Sequence, residues 1–300
     1  MYSKLLVPLD GSKIAEAVLP RARYLATALK IPVELLAVVD LAEMAAHLPA
    51  ANARMFDSIV ETEVAHSERY LRKAADSFAG VDVHCTVEKG TAQEVIAAKG
   101  AGSGILTAMA THGRSGLGRM LLGSVSEKIL RMTPNPLLVV RSGEENATGN
   151  AAAFKSVIVP LDGSELAESI LPTVVELAKR LNLELVLFRA FHLPYASYTG
   201  DDNFAAFNYN EVIDAMRGEA KAYLERAAAK VKNLGVAKVA CVAKEGFSAD
   251  EIIAAGRATP DALVVMASHG RSGIKRMMLG SVSEAVVRHG TAPVLVLRPS

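Results

Sequence analysis

A stretch late in the first half of the chain is written again late in the second. Thr111–Glu127 reads THGRSGLGRMLLGSVSE, and Ser268–Glu284 reads SHGRSGIKRMMLGSVSE. The openings of the halves match as well. Leu5-Leu6-Val7-Pro8-Leu9-Asp10-Gly11-Ser12 returns as Val157-Ile158-Val159-Pro160-Leu161-Asp162-Gly163-Ser164, and Leu19-Pro20 returns as Leu171-Pro172. A duplication at this spacing divides the 300 residues into halves of about 150, each an ordinary domain size. The expected organisation is a first domain over 1–141, a linker over 142–153 and a second domain over 154–300. The linker, SGEENATGNAAA, is small, polar and without periodicity, as a flexible connection requires.

Within each half, short apolar runs alternate with amphipathic stretches. In the first half, runs beginning at Leu5, Val33, Val81, Ile105 and Leu137 have the length and composition of buried strands. Helical spacing is found over about 13–30, 55–78, 92–99 and 124–132, and 40–53 is expected to be a loop. Strands alternating with helices imply parallel βαβ units. The predicted fold class is α/β: two tandem Rossmann-like domains, each an open five-stranded parallel sheet flanked by helices. Pro20 and Pro172 fall inside the first helix of each half. An interior proline costs about 3 kcal/mol unless the helix kinks or breaks there.

The spacing between matched residues grows between Asp162 and Cys241, and the reading assigns most of the extra residues to Phe191–Asn210. That segment carries Tyr195, Tyr198, Phe204, Phe207 and Tyr209 in a chain that is only 5% aromatic. It is either a lid that stacks on a base or apolar substrate, or an aromatic cluster packed against its own domain or the other half.

Composition excludes several classes of function. A net charge of +1 and a pI near 7.8 provide no general field for DNA, RNA or an anionic membrane. No stretch reaches the roughly 18 uninterrupted apolar residues of a membrane span, and the opening MYSKLLVPLD lacks the basic and apolar regions of a secretion signal. The expected location is the cytoplasm. Cys85 and Cys241 occupy matching positions in separate halves, so the expectation is two buried, inert, unpaired thiols without a metal.

The repeated loop carries the chemistry. Gly113, Gly116 and Gly123 leave backbone N–H groups able to turn toward an anion, Arg114 and Arg119 add charge, and Ser124 stands at the start of a helix. Gly270, Gly273, Gly280, Arg271, Arg276 and Ser281 repeat the set. Ser124 with Glu127, and Ser281 with Glu284, also have the S-x-x-E spacing of a capping box, which needs no ligand. The first strand–helix turn, Asp10-Gly11-Ser12 or Asp162-Gly163-Ser164, holds no G-x-G-x-x-G, and no Walker loop occurs. An acid at that turn repels phosphate but accepts from an amine or hydroxyl. Phosphates are therefore expected at the loop after the fourth strand, with base or sugar near Asp10.

These motifs resemble the universal stress protein family, as two UspA-type domains in one chain covering nearly all of it. The family's nucleotide-binding branch carries G-x-x-G, nine residues, then G-S/T. Here the pattern is Ala110-x-x-Gly113, nine residues, Gly123-Ser124, and Ala267-x-x-Gly270, nine residues, Gly280-Ser281, with alanine in place of the first glycine. The resemblance implies binding of ATP, or of ADP or AMP, in stress-response regulation, with Mg2+ compatible with the triphosphate. It implies that Asp10 and Asp162 meet adenine or ribose, and that Val38 and Ala190 line the base. Met109 and Met266 would pack beside the nucleoside. Gly113, Gly123, Ser124, Val125 and Ser126 would surround the phosphates, as would Gly270, Gly280, Ser281, Val282 and Ser283. It further implies an internal pseudo-dimer joined through the last strands, from Leu137 and Val294, with room for a further homodimer, and neither nucleic acid nor membrane as partner. Two other readings stand beside it: a slow ATPase or adenylyl-transfer enzyme using His112 or His269, and a scaffold with one nucleotide site or none.

Overall fold

The computed structural model describes residues 2–47, 55–111, 122–141, 152–193, 209–268 and 279–298. The first repeat runs β1 (Lys4–Pro8), α1 (Leu19–Leu29), β2 (Val33–Val39), α2 (Leu41–His47), α3 (Phe56–Ala75), β3 (Val83–Lys89), α4 (Ala92–Gly100), β4 (Ile105–Ala110), α5 (Ser124–Met132) and β5 (Leu137–Val140). The second runs β6 (Ser156–Pro160), α6 (Glu165–Glu168), α7 (Leu171–Leu181), β7 (Glu184–Phe191), α8 (Tyr209–Asn233), β8 (Val239–Glu245), α9 (Ser248–Ala258), β9 (Ala262–Ala267), α10 (Ser281–His289) and β10 (Val294–Leu297).

The described residues form two compact units. One is built from the chain up to Ala153 with Pro293–Arg298 added; the other begins at Phe154 and includes Gly280–Ala292. In the first unit the strand order is β3-β2-β1-β4-β5, and all four neighbouring pairs are parallel. β10 lies in this unit too, antiparallel to β5, with Val294 opposite Val139 and Val296 opposite Leu137. In the second unit β8-β7-β6-β9 are parallel in the same order. Burial explains the apolar runs: β4 and β9 bury every residue, as strands covered on both faces must.

The interior prolines break the helix rather than kink it. A 3-10 turn at Ala15–Val18 precedes α1, and Pro20 sits in the first turn of α1, where its missing N–H costs nothing. α6 and α7 repeat the break, with Pro172 in the first turn of α7.

Four expectations are corrected. The loop expected over 40–53 contains α2, because Asp40 Oδ1 accepts from the Ala42 and Glu43 N–H groups, both at 3.0 Å, and so caps a helix. The extra residues of the second half do not fall mainly in Phe191–Asn210. Helix α8 has 25 residues where α3 has 20, so much of the added length extends this helix. The aromatic residues Tyr195, Tyr198, Phe204 and Phe207 lie outside the described residues, and Tyr209 opens α8. The thiols of Cys85 and Cys241 are unpaired as expected but exposed rather than buried, because β3 and β8 stand at the far ends of their strand orders. Finally, the linker is not flexible to its last residue: Arg21, 4% exposed, donates from Nη1 to the Ala152 carbonyl at 2.6 Å and the Ala153 carbonyl at 3.3 Å.

Candidate functional site

The first unit opens at the point its strand order dictates. β1 has β2 on one side and β4 on the other. The connections leaving β1 and β4 therefore diverge, and a crevice forms beyond the carboxyl ends of these strands. A cleft of about 740 Å³ lies there, lined by Asp10 after β1, Val38 on β2, Met109 and Ala110 at the end of β4, and Gly123, Ser124, Val125 and Ser126 at the start of α5. Eight residues singled out from the sequence thus share one wall system. Gly113, His112, Arg114, Gly116 and Arg119 lie outside the described residues, as do His269, Gly270, Arg271, Gly273 and Arg276.

Backbone geometry sets the acid. The Leu9 N–H donates to the Leu36 carbonyl at 2.8 Å, which carries the β1–β2 pairing one residue past the strand and leaves Asp10 at its edge. Gly11 then turns with φ +80°, a conformation that favours glycine. The Ser12 N–H and hydroxyl both donate to Asp10 Oδ1, at 3.0 and 2.7 Å, and Ser12 Oγ accepts from the Ala15 N–H at 3.1 Å. Asp10 therefore shapes the turn through one carboxylate oxygen. Asp162 does the same in the second unit, accepting from the Ser164 N–H at 2.9 Å and hydroxyl at 2.6 Å, with Gly163 at φ +88°.

The start of α5 is docked directly on the end of β4. The Ser126 hydroxyl, buried, donates to the Ala110 carbonyl at 3.0 Å, and the Gly123 N–H donates to the Thr111 carbonyl at 2.7 Å. Ser283 donates to Ala267 at 2.9 Å and Gly280 to Ser268 at 2.8 Å in the second unit. The capping-box reading is corrected in both copies. The N-cap is Gly123 or Gly280, in extended conformation and without a side-chain cap, so Ser124 and Ser281 are already the first helical residues. Glu127 and Glu284 pair instead with Arg131 and Arg288 one turn on, at 3.3 and 2.9 Å. The first helical N–H groups of α5 precede its first internal hydrogen bond, from the Glu127 N–H to the Gly123 carbonyl. They therefore have no acceptor inside the helix.

In the second unit the predicted residues hold matching places: Asp162 after β6, Ala190 on β7, Met266 and Ala267 closing β9, and Gly280, Ser281, Val282 and Ser283 opening α10. The sequence reading missed one wall of the first cleft, where Glu63, His66, Ser67 and Tyr70 of α3 line it beside Asp40 and Glu43. The signal was present in these polar residues, which recur at the spacing of one helix face. Among the described residues, no group of three or more His, Cys, Asp or Glu side chains is placed to hold a metal, and no helix is long and apolar enough to cross a membrane.

The universal stress protein family model matches residues 1–141 and again residues 153–298. The universal stress protein YxiE of Bacillus subtilis (strain 168) is 32% identical over 148 residues, which is 48% of this chain and 99% of that protein. A universal stress protein of Mycobacterium bovis is 30% identical over 197 residues, covering 65% of this chain and 62% of that one. At the level of fold, the crystal structure of a universal stress protein from Archaeoglobus fulgidus aligns over 100% of both chains with a TM-score of 0.67 at 21% identity. With two matches that together span nearly all of its length, the chain belongs to the universal stress protein family.

Proposed function

We propose that this chain is a regulatory protein of the stress response that binds an adenine nucleotide, ATP or its ADP and AMP relatives, in the first-unit cleft. One observation carries the reading: the cleft sets a carboxylate at one strand end opposite a helix start whose first N–H groups have no acceptor within the helix. The helix end of positive potential suits phosphate. Asp10 repels phosphate and accepts from a ribose hydroxyl or the adenine amine. Val38 and Met109 supply apolar surface for the ring between these two ends. The ligand's orientation follows from charge alone, phosphates toward Ser124, Val125 and Ser126 and nucleoside toward Asp10. Gly113 belongs to the same phosphate contact by its place in the motif, and Mg2+ would arrive with the triphosphate.

The reading extends to a cytoplasmic protein of two domains, 1–141 and 154–300, whose repeats associate within one chain through β5 and β10 and can pair further as a homodimer. Equilibrium dialysis of purified protein against labelled ATP, with ADP and AMP as competitors and with Mg2+ present or chelated, tests it. Saturable binding is expected, weakened at least tenfold by Asp10→Ala. Absence of saturable binding at millimolar ATP refutes it.

A further inference from the structure

The repeats agree in strand order, turn and helix start, but they differ along the cleft wall, and one of these differences places a charged side chain on the strand. Ala37 lines the first cleft two residues before the end of β2, and Tyr70 and His66 of α3 line it from the helix side. The matching places in the second unit are fixed by register. Arg189 stands two residues before the end of β7, and the pair Tyr70-Leu71 returns as Tyr223-Leu224, with both leucines fully buried. Glu219 precedes Tyr223 as His66 precedes Tyr70.

In the second unit these places are filled from within. The Arg189 guanidinium lies 4.5 Å from the centre of the Tyr223 ring and 3.6 Å from the Glu219 carboxylate, with its side chain only 13% exposed. Stacking on an aromatic face and pairing with a carboxylate are the two contacts a guanidinium makes most favourably, so the arginine is held against α8. Burial first, and then the neighbouring Glu168 carboxylate, hold the Tyr223 phenol in its neutral form. Arg189 directly precedes Ala190, the second copy of Val38, so register places the stack at the second copy of the proposed nucleoside end.

We propose that the position of Ala37 and Arg189 decides occupancy: alanine leaves the first cleft open to adenine nucleotide, whereas arginine closes the second. One chain then binds one nucleotide. This rests on the nucleotide reading of the first cleft and adds that the duplicated motif supplies one working site.

The test is the stoichiometry of ATP binding by isothermal titration calorimetry on the full chain. A photoreactive adenine nucleotide identifies which repeat is labelled. Wild type is expected to bind one equivalent with label confined to the first repeat, and Arg189→Ala to bind two with label in both. Ala37→Arg is expected to abolish labelling of the first repeat; Ala37→Met, a smaller obstruction that keeps the fold if arginine does not, is expected to weaken it at least tenfold. Two equivalents in wild type overturn the proposal, as does a folded Arg189→Ala that still binds one, or wild-type label in the second repeat that Arg189→Ala removes. Zero equivalents in wild type refute the reading of the first cleft instead. In that case a single site appearing in Arg189→Ala still supports closure by arginine, and zero in both overturns both.

Discussion

Lys4→Met should destabilise the first unit by about 2 kcal/mol, and the structure supplies both the size and an internal control. Glu34 on β2 is 7% exposed. Its carboxylate meets Lys4 Nζ at 2.5 Å and Lys99 Nζ at 3.6 Å, and Lys99 reaches Glu88 at 2.8 Å. Breaking a fully buried ion pair costs roughly 3–5 kcal/mol because the remaining charge stays buried. Lys4 keeps 31% of its side chain in water and Lys99 remains as a second partner, which brings the expected cost down to about 2 kcal/mol. The second unit builds the same sheet without the network, with Ser156, Val186 and Ala255 at the matching places. The triple variant Lys4→Ser, Glu34→Val, Lys99→Ala should therefore regain stability to within about 1 kcal/mol of wild type. Urea denaturation followed by circular dichroism measures both. Burial pushes the Glu34 carboxyl up, but the Lys4 hydrogen bond and the Lys4 and Lys99 charges outweigh it and hold its pKa below the ordinary value. The network's contribution is then complete above the unfolded carboxyl pKa of about 4.3 and is lost as pH falls through the lower folded value. The gap between wild type and Lys4→Met should narrow below that pH. A Lys4→Met protein as stable as wild type at neutral pH, or a triple variant weaker than the single one, refutes the reasoning.

Two further outcomes follow from the docking of helix on strand and from the exposed thiols. Ser126→Ala and Ser283→Ala each leave a buried carbonyl, Ala110 or Ala267, without the hydroxyl that donates to it at 3.0 or 2.9 Å. Each should cost about 1–3 kcal/mol in denaturant unfolding, and Ser→Thr replacements, which keep the hydroxyl, should cost less. Both Cys85 and Cys241 should react with a disulfide reagent in the native protein, since both are exposed. Packing around each sulfur pushes its thiol pKa up, so the rates at neutral pH should fall below that of a free cysteine and go on rising with pH past the ordinary thiol range. Fast neutral-pH labelling would contradict this.

What could be read in advance was what local chemistry determines. The apolar runs Val33–Val39, Ile105–Ala110 and Leu137–Val140 became β2, β4 and β5 with those bounds, because in strands buried on both faces only Glu34 and Thr107 interrupt the apolar pattern. The acid–glycine–serine turn and the helix starting at Ser124 were equally legible. The errors arose where tertiary contact decides. Cys85 and Cys241 looked like core residues until β3 and β8 proved to be end strands. Residues 142–153 looked uniformly loose, but Arg21 lies far away in sequence and fastens Ala152 and Ala153. The α3 wall of the cleft was visible as a polar stripe, yet a stripe does not announce that it faces a cavity rather than solvent. Arg189 against Ala37 was the least legible difference, because an arginine near a strand end acquires meaning only once Tyr223 and Glu219 are seen around it.

The serines of the repeated loop show how a local motif can be present and not used. S-x-x-E promises a capped helix, and a side-chain cap is worth about 1 kcal/mol. Gly123 and Gly280 take the cap position instead, and glycine has no oxygen to offer. The helix then begins one residue later than the motif supposes, Ser126 and Ser283 turn back to the strand, and the glutamates go to arginines on the same helix. A chain built for stability alone would keep the cap. Giving it up at both copies leaves the positive end of each helix uncapped by its own side chains and docked on a buried strand end. That exchange of intrinsic helix stability for an accessible dipole is what a site that awaits an anion requires. Its retention in the second copy means that the closure proposed for the second repeat rests on the strand wall, at Arg189 against Ala37, and not on the helix start.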